Sequence, residues 1–450
     1  MAAVSTFAVK FLGCKVSQAD AAAARAALLR AGHVEAPEEQ AELHVINTCC
    51  ITGEAEAKSR QAVRRSLRHA REVVVSGCAV NLDAARFAAL DQRVRTLAGS
   101  AEDVAAQLAG ASDAAPGCAD LRHDLLARER ARLRGLGVAT GEAGAAAGVA
   151  SEPPPALPPA TRTRGFVKVQ DGCDCGCAYC IIPVVRGPAR SRPASAVLEE
   201  IRRRVAAGQP EVVMTGISVG DYRDPERGLE LGELMVAAAG VAGVERVRLS
   251  SIEVIHLRDS LLEALASEPK VCPHLHVPLQ SGDDRVLAAM GRRYSAEEYL
   301  AALARLREAV GRVNLTTDVI VGFPTEDEAA FQRTLKLIER AGITRVHTFC
   351  YSPRPGTRAA ALGDRVPAEV KKERSRRLRG LSELRSRLHR AAKLGQREVV
   401  LVDKVAARQC SGYTADYVRC YLPAGAAAAG QLLAVRCREL HADGIACEPL

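Results

Sequence analysis

The sequence predicts an α/β protein with an N-terminal βαβ parallel-sheet domain, a central partial (β/α)6 barrel and a C-terminal small β-barrel. Strand-like and helix-like patterns alternate as far as about residue 390, which indicates parallel sheets with right-handed crossovers. The pattern then becomes β-like and is punctuated by glycines, which favours a five-stranded barrel. An Ala-, Gly- and Pro-rich stretch at 140–159 has the composition of a linker. The predicted domains are therefore 1–110, a helix and linker at 111–160, a barrel ending in a basic helix at 161–390, and the small barrel at 391–450.

The N-terminal domain carries a cysteine after each of its predicted strands. The strands span 6–11, 43–47 and 72–76, with helices at 18–31 and 54–69, and the cysteines are Cys14, Cys49 and Cys78. Because the carboxyl ends of parallel strands line one edge of a sheet, these thiols should converge. Three thiolates there suit a four-iron cluster with one iron unligated. The alternative is three unrelated buried cysteines.

The central region has six predicted strands, at 166–170, 212–215, 246–250, 275–277, 315–320 and 345–349. After the first strand, Cys173, Cys177 and Cys180 form a C-x3-C-x2-C pattern. Such a pattern supplies three thiolates to a four-iron cluster, whereas an electron carrier uses four. A zinc site would need a fourth ligand at a partner spacing, and Cys175 is the nearby cysteine that could serve. We therefore expect a cluster with one open iron.

Other residues follow the barrel strands at the carboxyl ends, where chemistry is expected in barrels of this kind. Taken singly, each is an ordinary turn residue. As an ordered series they are candidate cofactor contacts: Thr215, Gly216, Ser250, Glu253, Gln280 and Gly322.

Cysteine usage and hydropathy indicate a cytoplasmic protein. The chain has 15 cysteines, and its first residues lack the layout of a secretory signal. Free thiols and metal ligands in a reducing compartment are therefore expected. No apolar run reaches the length of a membrane span, so no membrane partner is predicted.

The formal net charge is +9, and basic residues are concentrated at 371–393, which holds ten Lys or Arg against two Glu. Leu378, Leu381, Leu384 and Leu388 recur there at helical spacing, which predicts a helix with one apolar stripe and a basic surface. A polyanion is the natural partner of such a surface. The alternative is a solvated helix face. In the small barrel, Tyr413, Tyr417 and Arg419 either contact nucleotides or, for the tyrosines, belong to the core.

The cysteine motifs resemble those of a known family. The segments LGCKV (12–16), NTC (47–49) and SGC (76–78) resemble the three cysteine motifs of the radical S-adenosylmethionine methylthiotransferases, and 167–183 resembles their radical motif. The first segment is most similar to the branch that acts on threonylcarbamoyladenosine in tRNA, and the C-terminal barrel resembles a TRAM domain. The chain departs from the family pattern at Ser17, Cys50 and Gly176. Cys50 could compete with Cys49 for the iron.

The resemblance implies two 4Fe-4S clusters and S-adenosylmethionine as cofactors. It assigns the catalytic radical cluster to Cys173, Cys177 and Cys180, and the auxiliary cluster to the three N-terminal cysteines. It also implies S-adenosylmethionine contacts at the series that starts at Thr215, with Gly322 letting backbone approach the adenine, and basic residues near the substrate at 186, 190 and 192. Glu253 either binds ribose hydroxyls or forms a structural salt bridge. In this chemistry a 5′-deoxyadenosyl radical removes hydrogen from C2 of adenine, sulfur comes from the auxiliary cluster, and a second S-adenosylmethionine supplies the methyl group.

The implied function is conversion of N6-threonylcarbamoyladenosine at tRNA position 37 to its 2-methylthio derivative. The basic helix and the terminal barrel would hold the anticodon arm of the tRNA. Further partners would be an electron donor such as flavodoxin or ferredoxin, and a sulfur donor. Two alternatives stay open: the same chemistry on isopentenyladenosine in tRNA or on an aspartate of a ribosomal protein, and a non-catalytic iron–sulfur RNA-binding sensor.

Overall fold

A computed structural model describes residues 5–110 and 162–450 of the chain. These residues form two compact units, one with 5–110 and 182–187, the other with 162–181 and 188–450. The predicted helix and linker at 111–160 lie outside the described residues. No helix among the described residues combines the length and apolar character needed to cross a membrane.

The first unit is built on a five-stranded parallel sheet with strand order β2-β1-β3-β4-β5. Its strands are β1 (Thr6–Phe11), β2 (Val34–Glu35), β3 (Leu43–Thr48), β4 (Glu72–Gly77) and β5 (Val94–Leu97). Its helices are α1 (Lys15–Arg30), α2 (Gly53–Ser66), α3 (Cys78–Leu82), α4 (Ala84–Ala88), α5 (Ala101–Leu108) and α6 (Ile182–Arg186). The three predicted strands are the central ones, and the short edge strands β2 and β5 were not predicted.

The second unit begins with six parallel strands in two sheets, ordered β10-β9-β6 and β11-β12-β13. A parallel bridge pairs Val247 of β10 with Val271, which lies three residues before β11. The strands are β6 (Arg164–Lys168), β9 (Glu211–Thr215), β10 (Arg246–Leu249), β11 (His274–His276), β12 (Asn314–Val321) and β13 (Arg345–Cys350), with a short hairpin of β7 (Gln170–Asp171) and β8 (Arg190–Ser191). This confirms the predicted partial barrel.

Helices cover one side of these sheets. They are α7 (Ala194–Ala206), α8 (Leu231–Ala239), α9 (Asp259–Ser267), α10 (Asp284–Ala289), α11 (Ala296–Val310), α12 (Glu328–Arg340) and α13 (Ala368–Ala391). Odd-numbered residues of β12, such as Leu315 and Val319, belong to the core shared with these helices. Because side chains alternate along a strand, even-numbered residues such as Thr316 and Asp318 point to the opposite side, which is called the inner face below.

The C-terminal region is a closed five-stranded barrel, as predicted, with strand order β14-β15-β16-β18-β17. Its strands are β14 (Arg397–Val405), β15 (Gln409–Thr414), β16 (Arg419–Pro423), β17 (Leu432–His441) and β18 (Gly444–Pro449). Four cysteines, Cys410, Cys420, Cys437 and Cys447, lie in its apolar core.

The two tyrosines of the small barrel pack within the second unit. Tyr413 and Tyr417 stack on each other with ring centroids 4.9 Å apart, and Tyr417 also stacks on His274 at 4.9 Å. The Arg248 guanidinium lies 4.7 Å from the centre of the Tyr417 ring. These rings therefore join the small barrel to the partial barrel, which favours the alternative in which both tyrosines belong to the packed interior. Arg419 pairs with Asp443 at 3.2 Å.

Helix α13 forms where it was predicted, but its apolar stripe is different. Leu378 is fully buried, whereas Leu384 and Leu388 are 55% and 54% exposed, so their assignment to the stripe was wrong. Several cations of α13 and of the turn that follows it are buried and form ion pairs with carboxylates. The buried cations pair as Lys371–Asp364, Arg374–Glu326, Arg390–Glu383 and Lys393–Asp416. The basic surface is consequently smaller than the sequence indicates.

Candidate iron–sulfur cluster sites

Cys14, Cys49 and Cys78 lie at the carboxyl ends of three adjacent strands in the first unit and are called the auxiliary site. Cys14 directly precedes α1, Cys49 follows β3, and Cys78 is the first residue of α3. The glycines before two of them have positive φ angles, +127° at Gly13 and +92° at Gly77. A Cβ at Gly77 would lie 2.6 Å from the carbonyl oxygen of Thr48. These turns therefore require glycine, and they bring the thiols to one edge.

Arg186 supplies a cation to the auxiliary site. Its Nε donates to Cys78 Sγ at 3.1 Å, and its Nη2 donates to Asp20 Oδ2 at 2.8 Å. Both charged side chains are buried. Burial raises the pKa of the Cys78 thiol to about 11, and the neighbouring Arg186 opposes that rise. The guanidinium therefore favours a thiolate at a position where burial alone would disfavour one.

The donor set fits a four-iron cluster. Cys49 lies against the turn that leads into Cys14, because a Cβ built on Gly13 would lie 3.3 Å from Cys49 Sγ. Cys50 is fully buried. Within residues 5–110 and 162–450, no three His, Cys, Asp or Glu side chains surround a point that could hold one metal ion. A four-iron cluster does not require three ligands around one point, since each thiolate ligates a different iron.

The second set of cysteines lies in a loop of the second unit at residues 172–180, called the radical loop. Cys173, Cys175, Cys177 and Cys180 are all partly exposed. Two backbone hydrogen bonds hold the centre of the loop, from Ala178 N to Met290 O and from Ala359 N to Ala178 O, both 2.8 Å. Arg358 donates to the carbonyl of Gly176, where φ is +66°. The glycine that departs from the family pattern thus supplies a left-handed turn.

Cys175 lies beside the predicted ligands. Its backbone N–H donates to Cys173 Sγ at 3.4 Å, and its thiol is 3.9 Å from Ser218 Oγ. Hydrogen bonding with Cys173 lowers the pKa of Cys175 to about 6. Cys175 therefore lies close enough to Cys173 to compete with it as a ligand.

Arg292 links the radical loop to Glu253, and sequence reasoning missed it. Its Nη1 donates to Cys177 Sγ at 3.3 Å, and its Nη2 forms an ion pair with Glu253. The guanidinium also stacks over Tyr294 at 5.0 Å. The predicted ribose contact, Glu253, thus already has a buried ionic partner in this structure. Arg292 and Cys177 are 115 residues apart in sequence, so no local sequence pattern predicts their contact.

Gln170 connects the radical loop with the predicted contacts Thr215 and Gly216. Its Nε2 donates to the carbonyls of Asp171 and Gly172, and its Oε1 accepts from Ser218 N at 2.8 Å. A Cβ on Gly216 would lie 3.0 Å from this side chain. Thr215 is buried at the end of β9. These two predicted residues therefore lie against the segment that leads into Cys173.

The other predicted contacts are spread over the carboxyl ends of the later strands. Ser250 follows β10, and its buried Oγ has no hydrogen-bond partner among the described residues, as expected of an atom that awaits a ligand. Gln280 has φ +66° and bridges to Val319. At Gly322, a Cβ would lie 2.4 Å from the Lys371 side chain. The Lys371 side chain therefore packs against one side of this glycine.

The arginines after the radical loop have separate roles. Arg186 binds the auxiliary site, as described above. Arg192 donates to the carbonyl of Lys168 at 2.6 Å and to Glu200 at 2.7 Å, so it is a structural residue. Arg190 is half-exposed and lies 3.9 Å from Asp171. The predicted placement of all three near the substrate is thus unsupported for Arg186 and Arg192.

Comparison with known proteins agrees with this architecture. The family description Radical SAM superfamily matches residues 167–338, and Uncharacterized protein family UPF0004 matches 6–99. The partial barrel and radical loop therefore define a radical S-adenosylmethionine protein. The solved structure of the radical S-adenosylmethionine methyltransferase TsrM from Kitasatospora setae shares the fold, with a TM-score of 0.51, 13% identity, and coverage of 77% of this chain and 73% of that one.

Two curated relatives are more similar in sequence. Threonylcarbamoyladenosine tRNA methylthiotransferase MtaB of Chlamydia pneumoniae is 33% identical over 98% of this chain and 97% of its own length. The tRNA-2-methylthio-N(6)-dimethylallyladenosine synthase of Trichlorobacter lovleyi is 39% identical, over 64% of this chain and 67% of its own length. The chain belongs to the radical S-adenosylmethionine methylthiotransferase family.

Proposed function

We propose that this protein converts N6-threonylcarbamoyladenosine at position 37 of tRNA to 2-methylthio-N6-threonylcarbamoyladenosine. The observation that carries the proposal is the presence of two separate cysteine sets, each of three predicted ligands, in two compact units of a chain similar to MtaB over almost its full length. Two sets suit a reaction that needs hydrogen abstraction and sulfur insertion. The domain boundaries proposed are those of the sequence, 1–110, 111–160, 161–390 and 391–450.

The cofactors of the family are two 4Fe-4S clusters and S-adenosylmethionine. We assign the radical cluster to Cys173, Cys177 and Cys180, and the auxiliary cluster to the auxiliary site. When bound, these groups supply reductive cleavage of S-adenosylmethionine to a 5′-deoxyadenosyl radical, and sulfur for the new C–S bond.

Other residues of the protein orient the cysteine ligands and would contact S-adenosylmethionine. Arg292 donates to Cys177, and its pairing with Glu253 fixes its position. Gln170 fixes the backbone that precedes Cys173 and the turn at Ser218. The Ser250 hydroxyl and the turn at Thr215 and Gly216 are the S-adenosylmethionine contacts that the structure supports best, with Gln280 and Gly322 as further proposed contacts.

The tRNA would be held by its anticodon arm. Exposed cations of α13, Arg379 and Arg387 among them, provide sequence-independent phosphate contacts. A flavodoxin or ferredoxin is proposed as electron donor, together with a sulfur donor. We also propose a cytoplasmic location, where such donors and tRNA occur together.

Two cysteine variants test the reaction. Reconstituted Cys177→Ala should lose cleavage of S-adenosylmethionine altogether, because the radical cluster loses a ligand. Cys49→Ala should retain cleavage and lose methylthiolation of tRNA. Cys272→Ala, a buried cysteine outside both sites, serves as the control.

The same assay separates the alternatives. An iron–sulfur RNA-binding sensor would show no cleavage of S-adenosylmethionine in the wild-type protein. Full methylthiolation by Cys49→Ala would contradict the assignment of the auxiliary site.

A further inference from the structure

The inner face of strands β11 to β13 carries a cluster of polar side chains. His276 Nε2 lies 3.0 Å from Asp318 Oδ1, and His276 Nδ1 lies 2.9 Å from Thr316 Oγ1. The His347 ring is 5.4 Å from the His276 ring, centroid to centroid. Polar groups thus occupy a face that lies opposite the helix-covered core.

Strand β13, the last strand of this sheet, presents three exposed side chains on that face. In the strand register, Arg345 is paired with Thr316, His347 with Asp318, and Phe349 with Ile320. Partners in parallel strands point to the same side. The intervening Val346 is buried, and its amide is held by Ser382 of α13. Arg345, His347 and Phe349 therefore line the inner face in a row.

Phe349 is a suitable platform for a base. Its side chain is 43% exposed, which is unusual for phenylalanine in an ordered strand. Aromatic side chains exposed in this way stack on unpaired nucleobases. Rows of one aromatic and two polar side chains can bind a base together with a polar substituent on it.

The hydrogen-bond donors of the row select among the possible substituents. A threonylcarbamoyl group has a carboxylate, a hydroxyl and a urea, which match guanidinium and imidazole donors. An isopentenyl group would cover those donors without pairing them, and unpaired buried polar groups are costly. The Asp318 carboxylate is held 3.0 Å from His276, and the Arg345 guanidinium is the charged donor of the row.

We propose that Arg345 and His347 bind the threonylcarbamoyl substituent of the target adenosine while Phe349 stacks on its base, so that this row determines substrate choice. The inference rests on the proposed function and adds the residues that select the nucleoside. It concerns binding residues and assigns no chemical step to them.

The test compares Arg345→Gln and His347→Phe with the wild-type protein, all reconstituted, on tRNA carrying threonylcarbamoyladenosine. Each variant should lower kcat/KM for methylthiolation by about 10- to 100-fold, the loss expected when a hydrogen bond to a charged group is removed. His347→Gln, which keeps a donor, should recover part of the loss. Cleavage of S-adenosylmethionine without tRNA should be unchanged in each variant. This measurement serves as the control for folding, since a misfolded barrel would not cleave S-adenosylmethionine. His69→Phe, an exposed histidine of the first unit, should behave as wild type.

The outcomes distinguish the two proposals. If the wild-type protein methylthiolates this tRNA and the Arg345 and His347 variants stay within about twofold of it, the inference is overturned and the proposed function stands. If the wild-type protein methylthiolates only tRNA carrying isopentenyladenosine, the proposed function fails and the selective role of the row fails with it.

Discussion

At the residue scale, Arg186 shows how a single side chain serves the auxiliary site. It is buried with Asp20 and donates to Cys78. A buried cation there offsets the negative charge that thiolates bring into a region of low dielectric constant. It also forms a buried ion pair with the Asp20 carboxylate at 2.8 Å.

Arg186→Gln should therefore weaken the auxiliary site while leaving the radical loop intact. We expect reconstituted protein to lose up to half of its iron and the electron paramagnetic resonance signal of one cluster, with S-adenosylmethionine cleavage retained. Arg190→Gln, a half-exposed neighbour, is the matched control. Full iron content with unchanged signals in Arg186→Gln would contradict a supporting role for this residue.

Residues in local motifs were predictable, and residues in distant contacts were not. Cys14, Cys49 and Cys78 each follow a strand, so the topology of a parallel sheet was enough to bring them together. Arg292 reaches Cys177 across 115 residues, and such a contact depends on how the barrel closes. The ionic partner of Glu253 was unpredictable for the same reason.

At the element scale, the joint between the partial barrel and the small barrel rests on buried arginines. Arg248 pairs with Glu211 at 2.7 Å and donates to the carbonyl of Ala415 at 2.8 Å. Arg246 donates to the carbonyls of Tyr413 and Val399, both at 2.7 Å. The amino ends of the barrel strands thus hold the turn that leads into β16.

Arg248→Met should loosen this joint, because it removes the guanidinium 2.7 Å from the buried Glu211 carboxylate and leaves Arg246 at 3.9 Å. Removing one partner of a buried pair costs about 3–5 kcal/mol. We expect a lower melting temperature and faster amide hydrogen exchange at 413–419. Arg438→Met breaks an exposed pair with Glu448 and should cost about 0.5 kcal/mol or less. Equal effects of the two substitutions would refute the assigned role of Arg248.

Helix α13 contributes to tRNA binding through a smaller set of cations than its sequence indicates. Arg379 and Arg387 are exposed, whereas Lys371, Arg374 and Arg390 are buried in ion pairs. The composition of the helix predicted its length and charge. It could not predict that carboxylates of other elements, such as Glu326, would take the buried cations.

The double substitution Arg379→Gln and Arg387→Gln should weaken tRNA binding and make it less dependent on salt. Each lost phosphate contact should reduce the slope of log K against log salt concentration by about 1. Filter binding over a salt series measures this slope. Arg202→Gln, an exposed arginine of α7 paired with Glu199, should leave it unchanged, and an unchanged slope in the double variant would exclude α13 from the interface.

At the scale of the whole molecule, the two compact units each contain one cysteine set. This division was predictable, since alternating strands and helices on either side of a linker imply two separate sheets. Less predictable was the assignment of α6, which follows the radical loop in sequence but belongs to the first unit. Arg186 is its last residue, and through it the first unit gains its buried cation.

Mass spectrometry of tRNA nucleosides gives the most direct test of the central claim. The chain would be expressed in a bacterium that lacks its own threonylcarbamoyladenosine methylthiotransferase, with Cys49→Ala as the inactive control. We predict that 2-methylthio-N6-threonylcarbamoyladenosine appears with the wild-type chain and is absent with the variant. Its absence in cells that contain the wild-type protein with both clusters would contradict the account.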